Sequence, residues 1–109
     1  MTPDDVRTYC ELRGYSRAYA DYWAAHLRCE TCHLRDSEPP HHLRTRGAHG
    51  NVDEPWNLVA LCWLCHRLIE QIGAVAFAEQ CPPDVAEKIR SAREHPMGAR
   101  GRRGGTEKA

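Results

Sequence analysis

Apolar residues near the start of the chain recur at helical steps. Thr2-Pro3-Asp4-Asp5 reads as a helix start, with a capping hydroxyl, a proline in the first turn and acids that complement the helix dipole. Val6, Tyr9, Cys10 and Arg13 carry the period until Gly14 stops it. Ser16 can cap a second helix in which Tyr19, Tyr22, Trp23, His26 and Leu27 fall at steps of three and four. Such a stripe predicts a buried face, in preference to a base-stacking platform. From residue 29 to 49 the helical period is lost, and Pro39-Pro40 excludes a helix there. Short strands are predicted at 41–45 and 56–61, with a turn-rich loop at 47–51 between them. A helix follows over 63–71, stopped by Gly73. A short helical stretch at 75–80 ends at Cys81-Pro82-Pro83, and a charged helix covers 84–93. Residues 96–109 combine Gly and Arg without apolar periodicity and are expected to be disordered.

With 109 residues the chain fits one domain. No stretch approaches the ~18 apolar residues of a membrane span. The first ten residues lack the apolar run of an export signal, so a cytoplasmic setting is expected, with no membrane partner. Net charge is zero, which taken alone argues against a strongly basic nucleic-acid binder. The balance is uneven, however. Residues 1–94 hold 11 Lys and Arg against 14 Asp and Glu, whereas 95–109 hold 4 against 1. Of the 15 basic residues 13 are Arg, the side chain that grips phosphate bidentately.

Six cysteines and seven histidines shift attention to metal. Four of the cysteines form Cys29-x-x-Cys32 and Cys62-x-x-Cys65, two tight turns that can complete a tetrahedron around a structural Zn²⁺. Redox chemistry by one such pair is the weaker reading, because no βαβ pattern surrounds either. Cys10 and Cys81 have no partner at that spacing and read as buried free thiols. His33 could stand in for a thiolate, but four cysteines already satisfy the ion. Leu58, Ala60, Leu64 and Leu68 are expected to form the small core beneath the metal, with Trp56 and Trp63 flanking it.

Between and behind the knuckles lie His41-His42-Leu43, then Asn57 with fourteen residues between it and His42, then His66 with eight residues between it and Asn57. Together with both knuckles and the apolar run Leu58-Val59-Ala60-Leu61, this set resembles the HNH endonucleases, the ββα-metal nucleases, and especially small phage-type members. The likeness covers residues 29–73. It implies an α+β fold with a ββα-metal motif and a four-cysteine zinc site, flanked by N-terminal and C-terminal helices. Segments 1–28, 29–73, 74–95 and 96–109 would form one domain with a basic tail.

The resemblance further implies hydrolysis of DNA phosphodiester bonds. His42 would be the general base, and His41 and His66 would hold a catalytic divalent ion, Mg²⁺ or Mn²⁺ or another. Asn57 would either hold the His42 loop or approach the metal. Members with a second helical histidine carry it four residues after His66, where this chain has Glu70. That carboxylate is either a ligand favouring harder ions or a solvated surface group. Arg44 and Arg46 would share a face of an extended segment and either contact phosphates flanking the metal, the favoured reading from their place after His42, or pair as solvated charges with Asp53 or Glu54. His49 reads as a loop residue, while His26 and His95 read as structural. Expected partners are DNA and, for a phage member, packaging or replication proteins. The competing expectation is a catalytically inactive zinc module of the same fold that binds DNA or a protein.

Overall fold

The computed structural model describes residues 1–44 and 52–95. The expectations for Arg46, His49 and the 96–109 tail lie outside the described residues, as does the last position of the predicted first strand. Among the described residues the architecture is α+β: four α-helices around a small two-stranded sheet.

Helix α1 spans Pro3–Arg13. Thr2 and Asp5 close a reciprocal capping box, each side chain accepting from the other's backbone N–H at 3.0–3.1 Å. Gly14 ends the helix at φ 81°, a left-handed conformation that a side chain would strain. Helix α2 spans Arg17–Ala25 and is capped by Ser16, whose Oγ accepts from the Tyr19 N–H. The aromatic stripe is core: Tyr19, Tyr22 and Trp23 are buried with Val6 and Cys10, and Tyr9 meets Trp23 edge-on. Helix α2 stops before His26, whose Nδ1 lies 2.7 Å from the Tyr22 carbonyl.

Strand β1 (His41–His42) pairs antiparallel with β2 (Leu58–Val59), His41 opposite Val59 and His42 opposite Leu58. Both strands are shorter than the sequence predicts, for two physical reasons. Pro55 fixes its own φ and starts a 3₁₀ turn over Pro55–Asn57, which takes Trp56 and Asn57 out of the strand. The Asn57 side chain then captures the Arg44 backbone, accepting from its N–H at 2.7 Å and donating to its carbonyl at 2.9 Å. The ladder ends where a side-chain amide replaces a partner strand.

Side-chain alternation along Leu58-Val59-Ala60-Leu61 divides the interior. Leu58 and Ala60 pack on α1 and α2, while Val59 and Leu61 face the other way, into a cluster with Ile69, Phe77, Val85 and Ile89. That second cluster is supplied by α3 (Trp63–Ala78) and α4 (Pro83–Glu94). Helix α3 is broken at Gly73, where φ 87° and ψ 159° leave the helical region, so the expected stop is present as a kink. The predicted core beneath the knuckles is corrected at three positions: Leu64 is exposed, Leu58 and Ala60 belong to the cluster on α1 and α2, and Phe77, Val85 and Ile89 from beyond the kink pack on the knuckle side.

A polar network ties the halves together. Lys88 on α4 donates to the Tyr22 hydroxyl and to the Leu58 carbonyl, Tyr22 donates to Glu30, and Glu30 accepts from the Ala60 N–H. Burial pushes the Tyr22 hydroxyl up, with Glu30 adding to it, and burial pushes the Lys88 ammonium down despite Glu30. None of the described helices is long and apolar enough to cross a membrane.

Candidate functional site

The first knuckle is a tight turn built by backbone. Cys29 donates its N–H to the Arg35 carbonyl, and His33 closes the turn at φ 60° by donating to the Cys29 carbonyl. The N–H groups of Cys32 and Leu34 point at the sulfurs of Cys29 and Cys32, at 3.4 and 3.5 Å. Glu30 anchors this turn to the second, donating its N–H to the Ala60 carbonyl. Cys62 stands at the N-cap of α3, and Cys65 lies in its first turn. The four sulfurs fall within 4.8 Å of one another, a cluster that could hold a metal ion such as zinc.

The electrostatics fit a cation. Burial opposes ionisation of Cys32, yet N–H donors and the neighbouring thiols bring it down to about 6. Burial among Cys29 and Cys62 drives Cys65 far up. Four thiolates cannot share this space without a positive ion between them. His33 is exposed and outside the cluster. Cys10 is a buried free thiol; Cys81 is half-buried and donates to the Phe77 carbonyl.

A second cluster forms where β1 meets α3. His41 Nδ1 lies 3.2 Å from His66 Nε2, and Glu70 Oε2 lies 3.4 Å from the same nitrogen. One ligand atom from each of the three falls within 4.8 Å of the others. His66 Nδ1 lies 3.0 Å from Glu38 Oε1; in the tautomer that donates there, Nε2 turns a lone pair toward His41 and Glu70. Burial, reinforced by His66, lowers His41 to about 4 and keeps it neutral, the form a metal ligand needs. His66 and Cys62 share one helical turn, the His66 N–H donating to the Cys62 carbonyl at 2.8 Å.

His42, next on β1, points elsewhere. Its Nε2 lies 2.7 Å from Asp53 Oδ1, and its ring stacks on Tyr19 at 5.4 Å. Asn57 is wholly buried and spends its side chain on the backbone: both Arg44 groups, and the Val52 carbonyl at 3.0 Å. These bonds tie the backbone two residues after His42 to the segment around Val52.

Arg44 departs from the expected open, phosphate-facing position. Its guanidinium donates to the Ala92 and His95 carbonyls at 3.3 and 2.6 Å, capping the C-terminal end of α4. Trp56 stacks on His95 at 3.6 Å beside it. Sequence reasoning missed Glu38 and Asp53 as the carboxylates behind His66 and His42. The available signals were the extended Pro39-Pro40 path linking Glu38 to His41, and the position of Asp53 four residues before Asn57.

Compared with known protein families, curated proteins and solved structures, the chain finds no match in any of the three.

Proposed function

We propose that this protein is a metal-dependent endonuclease of the HNH type that hydrolyses phosphodiester bonds in DNA. The observation that carries the proposal is the convergence of His41, His66 and Glu70 on one point, with His42 on the adjacent strand position. Adjacent strand residues face opposite ways, so the pair can divide its work. In this reading His41 and His66 hold a catalytic divalent ion, Glu70 adds a carboxylate, and the four cysteines hold a structural zinc ion. A divalent ion there would supply Lewis-acid stabilisation of the scissile phosphate. His42 takes a proton from the attacking water, and Asn57 keeps the His42–Arg44 backbone in place. Glu70, with 63% of its side chain exposed, leaves the cluster open to a macromolecule.

The test is cleavage of supercoiled plasmid with Mg²⁺ or Mn²⁺ by wild type and by His42→Ala. Nicking that falls by roughly 100-fold or more in the variant supports the assignment, and unchanged nicking overturns it.

A second reading is a non-catalytic zinc module that binds DNA or a protein, and the inward turn of Arg44 favours it. Calorimetric titration of Mn²⁺ into zinc-loaded protein separates the two. The nuclease takes up a second ion that depends on His41 and His66; the module takes up none.

A further inference from the structure

Residues 1–28 precede the segment that resembles a nuclease, yet they reach the proposed base. Ser16 caps α2 by accepting from the Tyr19 N–H, and its own hydroxyl proton goes to Asp53 Oδ2 at 2.7 Å. The other oxygen of that carboxylate meets His42 Nε2, also at 2.7 Å. Tyr19, one turn into α2, lays its ring nearly parallel to the His42 imidazole, the planes 20° apart, and donates its hydroxyl to the Pro40 carbonyl at 2.6 Å. One short stretch of α2 therefore holds the imidazole from two sides, through a carboxylate and through an aromatic face.

We infer that Asp53, fixed by Ser16, is a positioning residue that sets the tautomer and orientation of His42. The inference rests on the nuclease reading only for its kinetic consequence. An ionised carboxylate can only accept, so the proton of the neutral ring sits on Nε2 and the basic nitrogen is Nδ1. When Nδ1 takes the proton of the attacking water, the imidazolium that forms is paired with Asp53 and no proton moves on to the carboxylate. Without Asp53 the ring can carry its proton on Nδ1, where it has no base to offer the water. Asp53 keeps 27% of its side chain exposed, so its removal deletes a partner without opening a cavity in the core.

The experiment is long-range ¹H–¹⁵N correlation spectroscopy of the zinc-loaded full chain at pH 8, without added Mg²⁺ or Mn²⁺. The His42 signals are assigned by their loss in His42→Gln. Wild type should show His42 as the Nε2–H tautomer, and Asp53→Ala should convert it to a mixture rich in Nδ1–H. A wild-type ring protonated on Nδ1 overturns the inference by itself, so a misfolded variant cannot shield it. A wild-type tautomer retained unchanged in a folded Asp53→Ala also overturns it.

The kinetic arm is plasmid nicking. Asp53→Ala should lower kcat on the order of 10- to 100-fold, the scale seen when outer partners of functional imidazoles are removed. KM for DNA should stay within about twofold. A raised KM with unchanged kcat would make Asp53 a DNA contact and overturn the positioning role. If wild type cleaves nothing, the nuclease reading falls, while the tautomer spectra still decide whether Asp53 sets His42.

Discussion

Cys29, Cys32, Cys62 and Cys65 are held by backbone, whereas His41, His66 and Glu70 are held by other side chains. Around the thiols, N–H groups of tight turns supply the support, and Cys29 and Cys62 are fully buried. Around the imidazoles, Glu38 orients one ring from 28 residues away, and Glu70 stands largely in water. The first arrangement is closed and held by the chain's own turns; the second is open to solvent on the Glu70 side. Its geometry depends on carboxylates that could be removed without unravelling a turn. The contrast makes the cysteine cluster part of the fold, and on the proposed reading the histidine cluster would be a site mounted on it.

The largest effect should come from breaking the closed cluster. Cys62→Ala, or a strong zinc chelator, should abolish the cooperative thermal melt followed by circular dichroism. The binding energy of a structural zinc, on the order of 10 kcal/mol, exceeds what a core of this size can spare. The same change at the open cluster should leave the fold standing. His66→Ala should shift stability by no more than about 1 kcal/mol in chemical denaturation, yet remove Mn²⁺ uptake by the zinc-loaded protein in calorimetry.

Acid sharpens the comparison further. His41 is held at about 4 in the fold against an ordinary 6.5, first by burial and then by His66. The unfolded chain therefore takes up the proton first. The stability tied to neutral His41 is complete above about 6.5 and is lost as pH falls toward 4. Melting temperatures of the zinc-loaded protein should fall across that window, and His41→Gln should flatten the fall. The smallest effect belongs to Glu70→Gln. It should weaken Mn²⁺ binding by about tenfold, read by calorimetry, and leave the melt unchanged.

Local signals made much of this structure legible in the sequence. Thr2, Gly14, Ser16 and Gly73 mark ends and breaks that depend on a few neighbouring residues, and each does so in the structure. The two Cys-x-x-Cys turns announced a cluster because each pair is preformed within four residues. Strand lengths were less legible, since a side chain, Asn57, ends the ladder. Asp53 and Glu38 carry no periodicity, and their partners lie 11 and 28 residues away. The partners of Arg44 were illegible for a related reason. Its acceptors are carbonyls of a helix end 48 and 51 residues on, which no pattern around position 44 announces.

If both clusters hold ions as proposed, the helical turn that joins Cys62 to His66 would make them thermodynamically reciprocal. A ligand to the sulfurs fixes the first turn of α3, and that turn aims His66 at His41. On the proposed reading, a chain that has already bound zinc would spend less conformational freedom on a second ion. Linkage requires the return effect to be equal: whatever free energy zinc contributes to the second site, an ion at that site contributes to retaining zinc. Slower zinc release in the presence of Mn²⁺ would be the visible form of that equality.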